Sequence, residues 1–323
     1  MTAADAAAPA PRVVTLGETM ALMRTREIGS LRHATDLALG IGGAESNVAI
    51  GLRRLGVDAS WLGRVGDDPL GERVQREIRA EGVDVRCVVD ADAPTGLMLK
   101  ERPSASSTAV FYYRAASAGS RLSPDDLPEG WVEEADLLHV TGISALVSAS
   151  ARDCVAEAIL CAKNAGVRVS FDVNYRSALA SPAADDELRA LAARADIVFG
   201  GDDELQFLRP GHSADAAARH LIDEGCGEVV LKRGADGATA YVDGDVVHSP
   251  GFVVDVVDTV GAGDAFVAGY LSGLLAGLDP PSRLARANAC GAMLCMTPGD
   301  WESSPTLRDV ARFCDPDGDP VLR

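Results

Sequence analysis

The segment DTVGAGDAF, residues 258–266, places two glycines and two aspartates between an apolar run and a helical pattern. Gly261 and Gly263 permit a tight turn that brings backbone N–H groups close to a ligand. The first N–H groups of the following helix point the same way, and the helix dipole favours negative charge. We therefore predict that Gly261, Ala262 and Gly263 form a cradle for an anion.

Asp264 directly follows this predicted cradle, although a carboxylate repels an anion. It could act as a general base that takes a proton from a hydroxyl attacking a phosphoryl group. It could equally cap its own helix, since aspartate is a favoured N-cap residue. Phe266 stands where a dinucleotide-binding turn, G-x-G-x-x-G, needs its third glycine, and the chain contains no G-x-x-x-x-G-K-[ST] loop. A nucleotide phosphate site must therefore be of another kind.

The surrounding pattern alternates short apolar runs with amphipathic segments. It predicts strands over 12–17, 58–66, 135–142, 167–172, 195–201 and 227–234, and helices over 46–55, 69–80, 149–165, 185–193, 214–224, 265–276 and 283–296. The run GFVVDVV, 251–257, also predicts a strand, which would end at the glycine junction. Apolar strands separated by helices indicate an α/β fold with a mostly parallel sheet covered on both faces.

Two β-like inserts depart from this alternation, at about 18–41 and 94–116. An insert that leaves the main sheet is a natural lid over a ligand cleft. No linker-like segment interrupts the pattern, so we predict a single domain over 12–323. Residues 1–11 are predicted to form a disordered tail.

The composition limits the partners and the location. The 30 basic and 48 acidic residues give a net charge of −18, which argues against nucleic acid and anionic membranes as partners. No run approaches the roughly 18 apolar residues of a membrane span, and the first residues lack a signal-peptide core, so we expect a cytoplasmic protein. Seven cysteines without a C-x-x-C pair indicate neither a disulfide framework nor a zinc site.

Two motifs carry a resemblance to a known family. DTVGAGDAF resembles the C-terminal signature of the ribokinase-like, pfkB-type carbohydrate kinases, and GIGGAESNVAIGLRRLG, 40–56, resembles their N-terminal signature. The likeness extends over roughly residues 12–307. It implies a ribokinase-like three-layer α/β/α sandwich with a small β lid, and ATP and Mg²⁺ as cofactors.

The resemblance also implies site residues. Asp264 becomes the catalytic base, and the backbone amides of Gly261–Gly263 become the anion hole. Gly42, Gly43 and Asn47 occupy the sugar-contacting places. That placement is chemically reasonable, because glycines let the backbone approach a polyol and an asparagine offers both a donor and an acceptor.

Two arginines indicate an acidic sugar. Tyr112 and Arg114, in FYYRAASAGSRL, are two residues apart and would share one face of a strand. Arg176 follows the predicted strand in FDVNYRSAL. Two arginines can hold a carboxylate through bidentate hydrogen bonds, although either could instead pair with one of the 48 acidic residues.

These segments resemble the 2-keto-3-deoxygluconate kinase branch of the family. In that branch the tyrosine and both arginines contact the keto-sugar acid, whose terminal (6-) hydroxyl is phosphorylated. TPGDWESSPT, 297–306, fits the same branch, with Asp300 as a hydroxyl ligand. Met98 stands where the branch usually has a tyrosine. Fructose, ribose or a related sugar acid therefore remain alternative substrates, and a non-catalytic sugar- or nucleoside-binding regulator is a further alternative.

The nucleotide side is predicted from the same resemblance. LKRGADGA, 231–238, resembles the family's nucleotide loop, which places Lys232, Gly234 and Gly237 near ATP. Asn288 lies where the family often contacts adenine, although it could also be a buried structural asparagine.

Metal binding and assembly complete the prediction. Glu204 is expected to act on Mg²⁺ through water, with Gly201 in place of the family's usual asparagine. A lid with exposed apolar strand faces often needs a partner, and the family's lids commonly pair, so we predict a homodimer formed through the lid.

Overall fold

The computed structural model describes residues 11–104, 107–179 and 181–315. The strands are β1 (Arg12–Leu16), β2 (Met20–Thr25), β3 (Leu37–Gly42), β4 (Asp58–Gly66), β5 (Asp84–Asp90), β6 (Leu97–Ser104), β7 (Ser107–Tyr113), β8 (Leu137–Thr141), β9 (Arg168–Asp172), β10 (Ile197–Gly201), β11 (Glu228–Lys232), β12 (Ala238–Val242) and β13 (Asp245–Ser249).

The helices are α1 (Ala44–Arg54), α2 (Pro69–Ala80), α3 (Gly142–Val147), α4 (Ala149–Ala165), α5 (Pro182–Ala192), α6 (Asp202–Leu208), α7 (Ala214–Asp223), α8 (Ala262–Leu275), α9 (Pro280–Cys295) and α10 (Leu307–Phe313). Short 3₁₀ turns occupy Leu31–His33, Gly119–Arg121, Pro124–Asp126, Ser177–Leu179 and Gly234–Asp236. Apart from Pro11, the predicted N-terminal tail lies outside the described residues.

The main sheet confirms the predicted fold class. Its strand order is β13-β12-β11-β10-β9-β8-β1-β4-β5. The strands from β11 to β5 pair in parallel, and β12 and β13 add an antiparallel edge. One apolar cluster packs α1, α8 and α9 on one face, and a second packs α4, α5 and α7 on the other. The result is the three-layer α/β/α arrangement expected of a buried parallel sheet.

The two inserts form the small second sheet. Its order is β3-β2-β6-β7, with β2 and β3 from the first insert and β6 and β7 from the second. The inner face carries the apolar cluster of Met20, Leu22 and Met98, which Val110 joins. We call this sheet the lid.

Polar residues collect at one edge of the main sheet because parallel strands end there together. Thr141, Asp172, Gly201 and Lys232 are the last residues of β8, β9, β10 and β11. Ligands of open α/β sheets bind beyond such carboxyl ends. This edge is therefore where a site is expected.

The strand predicted over 251–257 is wrong, since the structure has no strand there. Val253 of this segment is fully exposed, so its apolar residues do not mark a buried strand. The backbone N–H groups of Val257 and Asp258 donate to the carbonyl of Cys295, at 2.7 and 3.2 Å. The start of α8 is thus held by the end of α9 and not by a preceding strand.

Candidate active site

A cavity of about 340 Å³ lies between the inner face of the lid and the carboxyl edge of the main sheet. Many residues predicted from the sequence line it: Gly43, Asn47, Tyr112, Arg176, Glu204, Lys232, Gly261, Gly263, Asp264 and Asp300. They come from segments more than 200 positions apart in the chain, and the fold brings them to one place.

Asp264 lies buried in the first turn of α8. The N-cap of α8 is Gly261, so Asp264 is not the capping residue. Its Oδ2 accepts a hydrogen bond of 2.8 Å from Asn47 Nδ2. Burial raises the pKa of the Asp264 carboxyl to about 7, helped by the charge of Asp172 and opposed by the Asn47 bond and by Lys232. A carboxyl with this pKa can exchange protons near neutral pH, as a general base must.

The glycine turn before Asp264 has the backbone shape that an anion cradle needs. Gly261 has φ +83°, and a Cβ there would come within 1.9 Å of the Asp300 carbonyl oxygen, so only glycine fits. The first N–H groups of a helix have no partner within it, although at the start of α8 the Ala262 N–H donates to the Thr259 carbonyl at 3.3 Å. The N-terminus of α8 therefore presents donors and a favourable dipole at the cavity wall.

Lys232 supplies positive charge beside this turn. Its Nζ donates to both carboxylate oxygens of Asp172, at 2.7 and 2.9 Å. Burial alone would lower the pKa of Lys232, but the Asp172, Glu204 and Asp264 charges outweigh burial and raise it. The lysine therefore stays charged, and it lines the cavity instead of lying on a solvated rim.

Two asparagines offer acceptors for hydroxyl groups. Asn47 and Asn174 both line the cavity. Within the described part of the chain, the buried side-chain oxygens of both have no hydrogen-bond partner. Asn174 also has φ +37°, in the left-handed region that few residues other than glycine adopt. Buried acceptors of this kind suit a ligand that brings its own hydroxyl donors.

Asp300 lies at the Gly42 end of the cavity. A Cβ on Gly42 would meet Asp300 Oδ2 at 2.5 Å, so this glycine makes room for the carboxylate. Asp300 Oδ1 accepts a 2.8 Å hydrogen bond from Lys100 Nζ. Burial raises the pKa of Asp300, and the charge of Lys100 opposes the rise.

The two predicted arginines have different surroundings. Arg176 is exposed and lines the cavity together with Tyr112. Arg114 lies one residue beyond β7, so it does not continue the strand face of Tyr112. Its Nε donates to Glu18 Oε2 at 2.7 Å, and Ser117 also donates to the Glu18 carboxylate. The guanidinium is therefore oriented by a buried acid, and Arg114 is not among the described residues that line the cavity.

The remaining predicted nucleotide residues lie apart from the cavity lining as the structure describes it. Gly234 and Gly237 belong to the turn between β11 and β12. The Asn288 amide donates to the carbonyls of Ser249 and Pro250, both at 3.1 Å, and so supports the segment before α8. A role for these residues at ATP stays a prediction.

Glu204 fits a magnesium ion that is shared with phosphates. Its carboxylate lines the cavity and accepts from the Gly201 and Tyr175 N–H groups, at 2.7 and 2.9 Å. Over residues 11–104, 107–179 and 181–315, no three acidic, histidine or cysteine side chains form a metal cage. Mg²⁺ usually binds through one or two carboxylates, waters and substrate phosphates, so a cage is not required.

Sequence reasoning missed several residues of this region: Glu18, Lys100, Asp172 and Asn174. Asp172 and Asn174 had a signal, because DVN follows a strand that ends at the site edge. No local sequence signal indicated Glu18 or Lys100, since their partners are distant in sequence.

Comparison with known proteins identifies the family of this chain. Residues 10–307 match the family model described as pfkB family carbohydrate kinase. The chain belongs to the pfkB family of carbohydrate kinases. This pfkB kinase is 38% identical over 305 residues to a 2-dehydro-3-deoxygluconokinase of Bacillus subtilis, covering 93% of this chain and 94% of that protein.

Two further relatives of this pfkB kinase are informative. A 2-dehydro-3-deoxygalactonokinase of Haloferax volcanii is 37% identical over 295 residues, covering 89% of this chain and 92% of that protein. A crystal structure of a candidate ribokinase II from Escherichia coli, in complex with ATP and Mg²⁺, superposes with a TM-score of 0.88 at 28% identity. That superposition covers 94% of this chain and 98% of the other. Kinases of this family use ATP and a divalent metal ion.

The helices that the structure describes include none that is both long and apolar enough to cross a membrane.

The pKa of Asp264 predicts the pH dependence of this kinase. The sequence predicts Asp264 as the general base, and a base must be ionised to take a proton, so kcat/KM for the sugar should rise with pH through a limb near pH 7. Asn47→Ala removes the hydrogen bond that lowers this pKa, so the limb should move to higher pH. Initial rates of ADP release from about pH 5.5 to about pH 8.5 locate this limb in the wild-type protein and in the variant. A profile that is flat across this range would contradict the assignment.

Proposed function

We propose that this kinase transfers the γ-phosphoryl group of ATP to the terminal hydroxyl of 2-keto-3-deoxygluconate, which is also called 2-dehydro-3-deoxygluconate. The observation that carries this proposal is that Asp264, the glycine turn and Arg176 line the same cavity. A proton acceptor, an anion cradle and a cation for a carboxylate are the three groups that this reaction needs.

The chain's own residues divide the chemistry among them. Asp264 removes the proton of the attacking hydroxyl, with Asn47 orienting its carboxylate at 2.8 Å. The N–H groups at the start of α8 stabilise the oxygens of the phosphoryl group in transfer, and Lys232 adds positive charge beside them. The lid excludes water, so ATP is not simply hydrolysed.

Glu204 would hold the magnesium ion, directly or through water. When bound, Mg²⁺ neutralises the charge of the phosphates and links them to the protein. We propose the cytoplasm as the location, because the proposed reaction consumes ATP.

Three features favour a deoxy sugar acid over a neutral hexose. Arg176 lines the cavity and supplies one guanidinium group for a carboxylate, and we propose that Arg114, which Glu18 holds at the end of β7, supplies the second. The inner face of the lid is apolar at Met98 and its neighbours, which suits a substrate carbon without a hydroxyl. Both curated relatives described above are named for 2-dehydro-3-deoxy sugar acids.

The C4 epimer 2-dehydro-3-deoxygalactonate is the second candidate substrate, because the Haloferax volcanii relative is named for it at 37% identity. The two acids share every group that the arginines and Asp264 would contact. Discrimination between the two acids must therefore depend on the side chains that contact the C4 hydroxyl. Asn174 and Asp300 line the cavity and are the candidates for that contact.

A coupled ADP-release assay across sugar acids and neutral sugars tests the proposal. The panel contains 2-dehydro-3-deoxygluconate, its C4 epimer, gluconate, fructose and ribose. The proposal predicts the highest kcat/KM for a 2-dehydro-3-deoxy acid. It is wrong if a neutral sugar is preferred, and a complete lack of sugar-stimulated ADP release would favour a non-catalytic binding protein.

We also propose that the lid mediates a homodimer. On its outer face Leu39, Met23, Leu99 and Phe111 lie in register across all four strands. Phe111 is 46% exposed and Leu39 is 39% exposed. A continuous apolar row on an otherwise acidic protein is best covered by a second copy of the same face.

Light scattering tests the dimer at micromolar concentration. The wild-type protein should have twice the mass of the chain, and Phe111→Glu should shift it toward the monomer. Val246→Glu is the matched control, because Val246 is equally exposed at 46% but lies on the edge strand β13. A monomeric wild-type protein, or equal effects of both substitutions, would count against the lid interface.

A further inference from the structure

A buried lysine connects the lid to the glycine turn. Lys100 lies on β6, and only 2% of its side chain is exposed. Its Nζ lies 2.6 Å from Asp258 Oδ2 and 2.8 Å from Asp300 Oδ1. The lysine thus crosses from the lid to two carboxylates that are 158 and 200 positions away in the chain.

The two carboxylates lie on either side of the turn that begins α8. Asp258 Oδ1 accepts a 3.2 Å hydrogen bond from the Val260 N–H group, inside the turn. The backbone of Asp300 packs directly on Gly261, where a Cβ would come within 1.9 Å of its carbonyl oxygen. A cation that holds both carboxylates therefore also holds the shape of the turn.

Stability alone does not explain this arrangement. The lysine and two aspartates bury one positive and two negative charges, and each loses its hydration. Replacing buried ion pairs by apolar residues is often neutral or stabilising in proteins, because desolvation offsets the attraction. A buried bridge of this kind has its best-supported use in fixing one arrangement of the parts that it joins.

We propose that Lys100 is a positioning residue that couples the seated lid to the phosphoryl cradle. With the lid in place, its ammonium keeps Asp300, the predicted hydroxyl ligand, and the turn that carries Gly261 at a fixed separation. The reacting hydroxyl and the phosphoryl group are then aligned only when the lid is closed. The inference rests on the proposed placement of the cradle and the base.

Lys100→Met tests the coupling, and a double variant separates it from folding. The wild-type cluster has a net charge of +1 − 2 = −1, and Lys100→Met with Asp258→Asn also has −1, because only Asp300 remains charged. The amide oxygen that Asp258→Asn introduces would keep an acceptor for the Val260 N–H group, while the bridge is lost. We expect kcat to fall by about 10²-fold in both variants, the scale of a misplacement near 1 Å. The KM for ATP should change by less than about 3-fold, since the bridge acts in the transition state.

Controls distinguish the possible failures. Lys163→Met removes an exposed lysine paired with Asp196 and should leave kcat and KM unchanged. A double variant that folds and has wild-type kcat would overturn the positioning role, whatever Lys100→Met alone does. If Asp264→Asn also kept its turnover in the same assay, the placement of the site itself would be wrong, which is a separate result.

Discussion

Asp264→Asn is expected to lower kcat by about 10²- to 10⁴-fold, the usual contribution of a positioned general base. Asparagine keeps the size of the side chain and an oxygen that can accept from Asn47 Nδ2, at 2.8 Å in the wild-type protein. Sugar binding should therefore persist while proton removal is lost. Steady-state ADP release measures kcat, and titration calorimetry of the sugar measures binding.

The same substitution should not unfold the protein. The pKa of Asp264 is raised from 3.8 to about 7, so the folded state holds this proton more tightly than the unfolded state. The free energy of unfolding consequently decreases as pH rises between these two values, and above pH 7 the buried carboxylate charge destabilises the folded protein. At pH 8 the variant should melt no lower than wild type.

Asp203→Asn is the matched control, since Asp203 is an exposed aspartate in the first turn of α6. Its kcat should equal that of the wild type. If Asp264→Asn retained near-native kcat, Asp264 would not be the base.

Loss of Arg114 is expected to lower kcat/KM for the sugar acid by roughly 10- to 150-fold, which corresponds to about 1.5–3 kcal/mol for a hydrogen bond to a charged group. Arg114→Ala alone does not isolate the loss of the substrate contact, because Glu18 would stay buried without its charged partner. Arg114→Ala combined with Glu18→Gln removes both charges and is the better test. The measurement compares kcat/KM for 2-dehydro-3-deoxygluconate with that for a neutral sugar.

The neutral sugar supplies the control within the same protein. Its kcat/KM should change by less than about 3-fold, because it has no carboxylate for the guanidinium to hold. Equal losses for both sugars would mean that Arg114 only supports the lid. No loss for the sugar acid would remove Arg114 from the carboxylate site.

Features with local signals could be predicted from the sequence. The bounds of α2 and α4 agree with the prediction, and α2 begins with Asp68 as N-cap and Pro69 as first residue, both ordinary start signals. The glycine turn and Asp264 were recognisable because their residue types and spacing are unusual in any other context. The lid inserts stood out because their pattern lacked helical periodicity.

Features that depend on distant partners could not be predicted. Nothing near Lys100 indicates that its ammonium reaches Asp258, and nothing near Arg114 indicates Glu18, 96 positions away. The segment 251–257 was assigned as a strand because apolar residues were read as buried, whereas Val253 is exposed. Charge pairing and burial are properties of the folded chain, so a local pattern specifies them only in part.

We propose that Asp264 and the glycine turn direct phosphoryl transfer to the terminal hydroxyl of a 2-dehydro-3-deoxy sugar acid. The decisive measurement is proton–phosphorus correlation NMR of the product formed from ATP and 2-dehydro-3-deoxygluconate. We expect a phosphate monoester coupled to the terminal CH₂ protons, formed by the wild-type protein and not by Asp264→Asn. Release of inorganic phosphate alone, or an ester at another carbon, would show that the proposed transfer does not occur.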